Sequence, residues 1–328
     1  MEVLLLGGNG LLGHNVIKRL LQQGHCVHAL LRDTAVLHVD DFTNTAALSI
    51  FRGSLLDDAD LRRAAQHCDA IINCAGVTDM SLLRYEDYLP VNRDLCVRLL
   101  NLMEEQGVGR LVHVSTANTI GFGTPVCKAT ESAPQMPPFS ESFYGRSKRE
   151  GEQILLDGAA RRPDWHIVIV NPGFMVGAYD VKPSSGKLLL AGYRKPLMLV
   201  PKGGKSFLHV GDAAVAVVNA LVRGEHGHRY LLTGANLSLK AFYRIQAHVC
   251  GYRQRQLAVP NWLLSLVGLI GDGLRRCGLP TSVAGNNVRQ LMVAEYYDAA
   301  AAREALELPQ TPIDDAIREF FSWYMRPS

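Results

Sequence analysis

The chain has 328 residues, and its hydrophobic fraction of 48% is large enough to fill the core of one large α/β domain or of two coupled ones. Its formal charge of +3 comes from 34 basic and 31 acidic residues without a block of like charge, which argues against nucleic acid as a partner. The seven cysteines include no CxxC pair and the N-terminus lacks a signal-peptide pattern, so we expect a folded cytoplasmic protein with reduced thiols.

The first two thirds of the chain alternate short, β-rich apolar runs with helical stretches. This alternation predicts βαβ crossovers and a parallel sheet. Strands are predicted at 2–6, 26–31, 47–51, 69–74, 109–115 and 165–171. Helices are predicted between them at 11–23, 57–66, 91–106 and 143–160. The fold class is therefore α/β, with a doubly wound Rossmann sheet in a first domain that covers residues 1–171.

The composition changes after Pro172 to loops rich in glycine and proline. Short strands are predicted at 197–200 and 228–232, and helices at 211–223, 238–250, 260–276, 284–295 and 312–324. We expect residues 172–328 to form a smaller, mostly helical substrate lobe, interleaved with the Rossmann core and lying over the carboxyl ends of its strands. The apolar stretch 262–271 is too short to span a bilayer and is interpreted as a core helix, with a surface that touches lipid or a lipid-like substrate as the alternative.

The first predicted strand runs directly into a glycine-rich turn that opens a helix. The turn contains Gly7, Asn9, Gly10, Leu11, Leu12 and Gly13, with glycines in a GxxGxxG spacing. Gly7 permits a tight turn, Gly10 lets backbone N–H groups approach a pyrophosphate, and Gly13 allows the helix to pack closely on the strand. An ordinary strand-to-helix turn is the alternative, but the position at the first βα junction favours a dinucleotide site.

The second predicted strand is followed by Arg32, the first charged residue after its apolar run. An acidic side chain at this place would bind the adenosine ribose and select NAD, whereas a guanidinium pairs with the additional 2′-phosphate of NADP. We therefore predict NADP(H), with Asp33 in the next position as the argument for NAD. An ordinary solvated loop residue is the alternative interpretation of Arg32.

Tyr144 and Lys148 are four residues apart at the start of the helix predicted at 143–160, so their side chains project from the same face. Because a nearby ammonium favours the phenolate, we expect Lys148 to lower the pKa of Tyr144 toward the range of a proton donor or acceptor. The preceding strand delivers Ser115 and Thr116 to its carboxyl end, where a hydroxyl could hold a substrate oxygen. YxxxK arises by chance in helices, but this is its only occurrence here and it follows both other motifs in order.

Taken together, the chain resembles the extended short-chain dehydrogenase/reductase family, also described as the NAD-dependent epimerase/dehydratase family. Within it, the resemblance is greatest to the dihydroflavonol reductase and 3β-hydroxysteroid dehydrogenase-like branch. It covers nearly the full chain and rests on GGNGLLG at 7–13, CDAIINCAG at 68–76, Asn92 in PVNRD, RLVHVSTANTIG at 110–121, YGRSK at 144–148, VNPGFMVG at 170–177, DVKPSSG at 180–186 and FLHVGDAA at 207–214. One departure is Ser54 after Gly53, where the family often has an aspartate that contacts the adenine.

The resemblance implies a role for several individual residues. Tyr144 would be the general acid in a reduction, and Lys148 would tune it and hold the nicotinamide ribose. Thr116 best matches the family's catalytic hydroxyl, with Ser115 as the alternative. The implied cofactor contacts are the six residues of the glycine turn together with Arg32, Leu55, Ala75, Gly76, Tyr144, Lys148, Pro172 and Gly173.

We predict an NADP(H)-dependent reductase or dehydrogenase that acts on the carbonyl or alcohol of a small, apolar or cyclic substrate. A nucleotide-sugar epimerase or dehydratase with tightly bound NAD(P) is the first alternative, for which the basic pair Arg194 and Lys195 is the available support. A non-catalytic NADP-sensing protein is the second, disfavoured because both the tyrosine and the lysine are present. No metal site is predicted, and the resemblance suggests a homodimer through helices 91–106 and 143–160.

Overall fold

The computed structural model of the protein describes residues 1–181 and 184–326. Its strands are β1 Glu2–Leu6, β2 Cys26–Leu31, β3 Leu48–Arg52, β4 Ala70–Asn73, β5 Arg110–Val114, β6 His166–Pro172, β7 Phe174–Val176, β8 Leu197–Val200, β9 Gly204–His209, β10 Arg229–Leu232, β11 Ala235–Ser238 and β12 Arg255–Ala258. Its α-helices are α1 Leu11–Gln22, α2 Asp58–Ala65, α3 Leu95–Gln106, α4 Phe143–Arg161, α5 Gly186–Gly192, α6 Val210–Arg223, α7 Leu239–Val249, α8 Asn261–Arg276, α9 Gly285–Gln290, α10 Ala300–Ala305 and α11 Ile313–Tyr324.

The central sheet has seven parallel strands in the order β10-β6-β5-β4-β1-β2-β3. It contains all six strands predicted for the first part of the chain, and the Rossmann expectation is confirmed. Strands β2 and β3 are added on one side of β1, and β4, β5 and β6 on the other. This change in the order of strands opens a crevice between β1 and β4, at their carboxyl ends. The strand predicted at 228–232 pairs with β6 as an edge strand, so a segment expected in the smaller lobe belongs to the central sheet.

Helices cover the central sheet on both faces, as a parallel sheet requires. Alternate side chains of β1 illustrate this, since Val3 and Leu5 pack with α1 and α6 while Leu4 and Leu6 pack with α2, α3 and α4. All four side chains are completely buried. The apolar run of this strand is therefore explained by burial on two sides, and it fixes the position of the glycine turn that follows.

The smaller lobe has a separate core of aromatic and aliphatic side chains. Its strands β7, β9 and β11 form a three-stranded sheet, and β8 pairs with β12 in a parallel ribbon. Phe207 of β9 stacks on Phe242 of α7 with ring centroids 4.2 Å apart, and Phe320 of α11 belongs to the same core. The sequence analysis did not predict β7, β9, β11, β12, α5 or α10, because each is short and lacks a clear period.

Helix α8 lies on the surface, so the expectation that 262–271 is a core helix is wrong. Trp262 and Leu269 are 69% and 68% exposed, and only Gly268 and Gly271 are buried along this helix. Hydrophobic sequence alone indicates a preference for burial but does not identify a partner. Within residues 1–181 and 184–326, no helix combines the length and hydrophobicity needed to cross a membrane.

Two predicted helix boundaries differ from the structure. The helix expected at 91–106 begins as a π-helical turn, Pro90–Asp94, before the regular α3. The helix expected at 284–295 ends at Gln290. In the DVKPSSG segment, Asp180 accepts a hydrogen bond from the backbone nitrogen of Gly186 at 2.7 Å, whereas residues 182 and 183 lie outside the described residues.

Candidate active site

The glycine turn holds the start of α1 close to the carboxyl end of β1. Gly7 has a φ of +79°, and a Cβ added there would lie 2.7 Å from the backbone nitrogen of Ala75. A Cβ added to Gly13 would lie 2.1 Å from the carbonyl oxygen of Gly7. Both positions therefore require glycine, the first for its backbone conformation and the second for the close packing of the helix on the turn.

The start of α1 provides a cradle for an anionic group. Gly10 occupies the N-cap position, where it offers no side-chain acceptor to the first N–H groups of the helix, and the first turn contains no acidic residue. Asn9 and Leu11 are half-buried beside it, and Leu12 is buried. Unsatisfied N–H groups and the positive end of the helix dipole suit a pyrophosphate. The residues present thus fit a dinucleotide cofactor.

Two arginines meet beyond the carboxyl end of β2. Arg32 and Asp33 are both exposed, and neither forms an ion pair with any part of the chain that the structure describes. Arg52, at the end of β3, donates hydrogen bonds to the carbonyl oxygens of Arg32 at 3.0 Å and Ala35 at 2.8 Å. Arg52 therefore fixes the loop that carries Arg32, a contact that the sequence analysis missed because it joins separate strands.

The loop after β3 lies against a carboxylate of α2. Asp60 of α2 accepts a hydrogen bond from the backbone nitrogen of Ser54 at 2.8 Å, and a Cβ on Gly53 would lie 2.4 Å from its carboxyl carbon. A carboxylate is thus present at this strand end although the position after Gly53 has none. Leu55 is half-buried against the core that contains α2, so only part of this side chain faces solvent.

Lys148 is almost completely buried and directed into the crevice. It lies on the first turns of α4, a helix whose N-cap residue, Ser142, accepts a hydrogen bond from the backbone nitrogen of Gly145. The Lys148 ammonium donates to the carbonyl oxygen of Val114 at 2.8 Å, and a Cβ built on Gly76 would lie 3.8 Å from it. Burial lowers the pKa of Lys148, although nearby Glu152 acts in the opposite direction.

The pKa of Tyr144 differs from the sequence expectation. Burial raises the pKa of the Tyr144 phenol, a hydrogen bond with Thr116 lowers it, and the Glu152 carboxylate raises it further. The expectation that Lys148 lowers this pKa is wrong, because desolvation of the phenolate dominates. The ammonium of Lys148 is instead directed to the carbonyl oxygen of Val114. Tyr144 is consequently a neutral phenol at physiological pH.

The two hydroxyl residues after β5 have different surroundings. Thr116 Oγ1 accepts a hydrogen bond from the backbone nitrogen of Asn118 at 3.3 Å, which leaves its proton available for donation. Ser115 donates its backbone N–H to Val170 at 2.8 Å, but its buried hydroxyl has no hydrogen-bond partner within the described ranges. Of the two, Thr116 is the residue whose hydroxyl acts on the pKa of the Tyr144 phenol.

Residues near the carboxyl ends of β4 and β6 complete the edge of the crevice. Asn73 Oδ1 accepts a hydrogen bond from the backbone nitrogen of Ala75 at 3.0 Å, which orders the loop that faces Gly7. Pro172 is buried, and Gly173 donates its N–H to the carbonyl of Leu232 at 2.9 Å. The structure brings the glycine turn, Ala75, Gly76 and Lys148 together, while Arg32 lies farther along the sheet, beyond β2.

A buried amide supports the loop beside Lys148. Asn92, in the π-helical turn, accepts a hydrogen bond from the backbone nitrogen of Val77 at 2.8 Å and donates to its carbonyl oxygen at 3.0 Å. It also donates to the Ser147 hydroxyl at 3.0 Å. Asn92 lies in the segment PVNRD, which resembles the family. The sequence predicts no role for it, since its hydrogen-bond partners lie far away in the chain.

A buried carboxylate lies one helical turn after Lys148. Glu152 is completely buried and accepts hydrogen bonds from Thr119 Oγ1 and Asn171 Nδ2, both at 2.6 Å. Asn171 also donates to the carbonyl oxygen of Thr116 at 3.1 Å. This network joins α4 and β6 to the loop that carries Thr116. Glu152 follows Lys148 by four residues, and this spacing could have indicated from the sequence that the two side chains lie on the same face of the helix.

Comparisons with known proteins agree with this geometry. Residues 3–233 match the model of the NAD dependent epimerase/dehydratase family. The chain is 28% identical over 324 residues to a putative dihydroflavonol 4-reductase of Synechocystis sp., covering 97% of this chain and 93% of that protein. It is 27% identical over 289 residues to the 4-hydroxy-2-methyl-3-oxo-4-farnesyl-3,4-dihydroquinoline-1-oxide ketoreductase of Stigmatella aurantiaca, covering 87% and 84%.

A solved structure has the same fold. The crystal structure of gox2253 superposes with a TM-score of 0.82 and 24% sequence identity. The match covers 98% of this chain and 97% of that one. The likeness therefore extends beyond the central sheet to the smaller lobe.

Proposed function

The chain belongs to the NAD dependent epimerase/dehydratase family, and from this we propose that it is an NADP(H)-dependent oxidoreductase that reduces the ketone or aldehyde of a small apolar or cyclic substrate, or oxidises the corresponding alcohol. A nicotinamide cofactor and an enzymatic activity follow from the family. The observation that carries the proposal is the placement of Tyr144 and the buried Lys148 one helical turn apart on α4, with the Lys148 ammonium at the carbonyl oxygen of Val114, the residue that precedes Ser115 and Thr116.

The proposed mechanism assigns the proton transfer to protein groups. A bound nicotinamide supplies a hydride to the carbonyl carbon in a reduction and accepts one in an oxidation. Thr116 donates a hydrogen bond to the carbonyl oxygen, and Tyr144 gives that oxygen its phenolic proton. The ammonium of Lys148 would hold the nicotinamide ribose of the cofactor. The backbone N–H groups of the glycine turn would hold its pyrophosphate.

The preference for NADP(H) rests on the two arginines beyond β2. Arg32 is exposed and free of ion pairs within the described residues, so its guanidinium can pair with a 2′-phosphate. The carbonyl oxygen of Arg32 is held by Arg52, which places a second positive charge nearby. These two charges outweigh the single carboxylate of Asp33.

An apolar substrate is supported by an aromatic cluster beside the start of α4. Phe143 directly precedes Tyr144, and its ring centroid lies 5.8 Å from that of Tyr85 and 6.4 Å from that of Tyr88. Of these rings, Phe143 is 36% exposed and so offers area to a ring or an isoprenoid chain. The names of the two relatives include a dihydroflavonol and a farnesylated quinoline, which are both ketone-containing ring systems of this kind.

A nucleotide-sugar epimerase is the second candidate, favoured by the family description itself. Such a substrate needs cations that bind a diphosphate. Lys205 pairs with the buried carboxylate of Glu295 and lies over the ring of Phe174, so its charge is already neutralised. Arg194 stacks on the ring of Tyr193, 5.2 Å from its centroid. These contacts favour the carbonyl substrate.

The test is a reductase assay with a matched pair of variants. Loss of reduced-nicotinamide absorbance is followed with NADPH or NADH and a panel of aromatic, steroid and aliphatic ketones. We expect turnover with NADPH that falls roughly 10²–10⁴-fold in Tyr144→Phe, which removes the proton donor. The control, Tyr324→Phe, removes the same hydroxyl from the exposed end of α11 and keeps the rate.

One outcome would replace the reductase by the epimerase. In it, no ketone consumes either cofactor, a cofactor co-purifies with the protein, and a nucleotide sugar is converted to its epimer. Tyr144→Phe would abolish that conversion as well. Loss of activity in the variant therefore identifies the site, and the substrate panel identifies the reaction.

The proposal includes a cytoplasmic location and a homodimer through α3 and α4. Val97 is 44% exposed on α3, which leaves an apolar side chain available at such a face. Light scattering is expected to give twice the chain mass of 36.0 kDa. Val97→Glu is expected to give the monomer mass. A monomeric native protein would contradict this assembly.

A further inference from the structure

Helix α8 presents a continuous apolar face to the outside of the molecule. We define the α8 face as Trp262, Leu263, Leu266, Val267, Leu269, Ile270 and Leu274, whose exposed fractions lie between 37% and 69%. Trp262, Leu266, Leu269 and Ile270 recur at intervals of three and four residues, so they form one stripe along the helix. The 16 residues of α8 extend over about 24 Å.

The opposite side of α8 is attached to the protein by close backbone contacts. A Cβ on Gly268 would lie 2.8 Å from the Cα atom of Gly285, and one on Gly271 would lie 2.1 Å from the carbonyl oxygen of Val283. Asp272 accepts a hydrogen bond from the backbone nitrogen of Gly285 at 2.8 Å. The helix is thus fixed in one orientation, with its large apolar side chains on the side away from these glycines.

Basic residues predominate in the segments that carry α8 and the ribbon β8–β12, although Arg275 donates to the carbonyl oxygen of Leu82 and Arg194 stacks on Tyr193. The segments 194–202 and 253–279 contain the ribbon β8–β12 and α8, and together they carry seven basic residues and one acidic residue. The basic residues are Arg194, Lys195, Lys202, Arg253, Arg255, Arg275 and Arg276. Asp272, the one acidic residue, is directed to the backbone of Gly285. The two segments therefore have a formal charge of +6, compared with +3 for the whole chain.

The ribbon adds apolar area close to the start of α8. Leu197 and Leu199 of β8 are 50% and 59% exposed, and Leu257 of β12 pairs in register with Leu199 and is also exposed. β12 leads through Val259 and Pro260 directly into α8. The exposed leucines of the ribbon are thus joined to the α8 face by a connection of two residues.

We propose that the α8 face docks the protein on an anionic lipid bilayer, with the helix lying in the plane of the membrane interface. A helix with an aliphatic stripe, a tryptophan near one end and basic flanks has the chemistry that binds at the headgroup level of anionic lipids. A second copy is the less favourable occupant. A two-fold interface brings the same patch to both sides, so seven basic residues would face seven basic residues.

The experiment is co-sedimentation of the full chain with vesicles of phosphatidylcholine, with or without phosphatidylglycerol. We expect binding to the anionic vesicles that weakens as salt is added. Leu269→Glu is expected to weaken this binding at least roughly tenfold, because it replaces an aliphatic side chain that would insert into the bilayer by a charged one that the anionic lipid repels. Arg276→Gln is expected to weaken it roughly fivefold, because one basic residue is lost.

The matched control is Val222→Glu, the same kind of change at a side chain that is 60% exposed on α6, outside the α8 face. It is expected to bind as the native protein does, since one charge far from the face does not meet the lipid. Thermal melting checks that both glutamate variants are folded. The proposal is overturned if native protein stays in the supernatant with both vesicle types, or if Leu269→Glu binds as native protein does. It is equally overturned if light scattering shows that Leu269→Glu halves the mass of a protein that does not bind vesicles, since the face would then join two copies.

Discussion

Tyr144 is placed where its neutral form is favoured. Burial raises the pKa of its phenol, and the ammonium of Lys148 is held at the carbonyl oxygen of Val114. A neutral phenol is ready to donate a proton in a reduction, whereas an oxidation must first remove that proton. The two directions of the proposed reaction should therefore depend on pH in opposite ways.

The first prediction concerns this pH dependence. Because the pKa of Tyr144 is raised above its ordinary value near 10, the donor stays protonated through neutral pH and is lost only in alkaline solution. We expect kcat/KM for ketone reduction to be flat from about pH 6 to about pH 9 and to fall only near or above about pH 10, and kcat/KM for alcohol oxidation to rise with pH. Rates measured with a fixed cofactor concentration check this. A value of kcat/KM for reduction that already decreases as the pH is raised from about 6 to about 8 would contradict the proposal that Tyr144 is the proton donor.

The second prediction concerns Arg32. Replacing its guanidinium by a neutral amide in Arg32→Gln removes a charge-assisted bond to the 2′-phosphate, which contributes about 1.5–3 kcal/mol. We expect KM for NADPH to rise roughly tenfold to a hundredfold, with KM for NADH unchanged. Arg19→Gln serves as the control, because Arg19 lies near the other end of α1. Equal effects of Arg32→Gln on both cofactors would exclude a role in phosphate recognition.

At the scale of residues, sequence predicted the groups that belong to local motifs. Tyr144 and Lys148 could be proposed from their spacing in the chain, and Thr116, with Ser115 as the alternative, from the family resemblance. Asn92 and Glu152 could not, because their hydrogen-bond partners come from other helices and strands. The direction of the Tyr144 pKa shift was also beyond reach, since it depends on how deeply the phenol is buried.

Strand β1 meets helix α1 at the glycine turn. Substitution by alanine should affect Gly10 and Gly13 of this turn differently. A Cβ on Gly13 would lie 2.1 Å from the Gly7 carbonyl oxygen, so Gly13→Ala must move α1 away from the turn at a cost of about 1–3 kcal/mol. A Cβ on Gly10 would meet that oxygen at 3.4 Å, an acceptable contact. We expect chemical denaturation to show a lower unfolding free energy for Gly13→Ala only.

The same pair separates folding from cofactor binding. Gly10→Ala is expected to fold normally but to bind the cofactor more weakly, since the added methyl group occupies the approach to the helix start. Titration of the cofactor into each folded variant measures this. An unfolding free energy for Gly10→Ala as low as that of Gly13→Ala would show that the steric difference between the two sites is unimportant.

A further prediction at the scale of elements concerns Glu152, which connects α4 to Thr119 and to Asn171 of β6. Glu152→Gln replaces one acceptor oxygen by a donor in a fully buried network, and we expect it to lower the unfolding free energy by about 1–3 kcal/mol. Glu150→Gln on the same helix is the control, because its ion pairs are at the surface and contribute about 0–1 kcal/mol. Equal losses for the two variants would contradict a structural role for the network.

The elements of the central sheet were predictable, and those of the smaller lobe only in part. Continuous apolar runs mark strands that are buried on both faces, which is why β1 to β6 were found within one or two residues of their bounds. β7, β9, β11 and β12 have three to six residues each and alternate less clearly. α8 was found but given the wrong surroundings, because its hydrophobicity does not reveal that Gly268 and Gly271 make the contacts.

At the scale of the whole molecule, the two halves of the sequence share one sheet. β10 forms its edge beside β6, and α6 packs on α1 within the core that contains β1. Residues from both halves thus surround the crevice, where Gly173 bonds to Leu232 next to the carboxyl end of β6. A boundary in the chain near residue 172 does not divide this core.

The position of β10 has a consequence for synthesis on the ribosome. Chains emerge from the N-terminus and begin to fold as they appear, yet the strand that completes the edge of the sheet starts at Arg229. Until that strand has left the exit tunnel, the edge of β6 has no hydrogen-bonding partner and can pair with other chains. The core also lacks the side chain of Tyr230 during this time. The nascent protein therefore has an unprotected sheet edge while the segment between Pro172 and Arg229 is synthesised, the interval in which a chaperone has most to do.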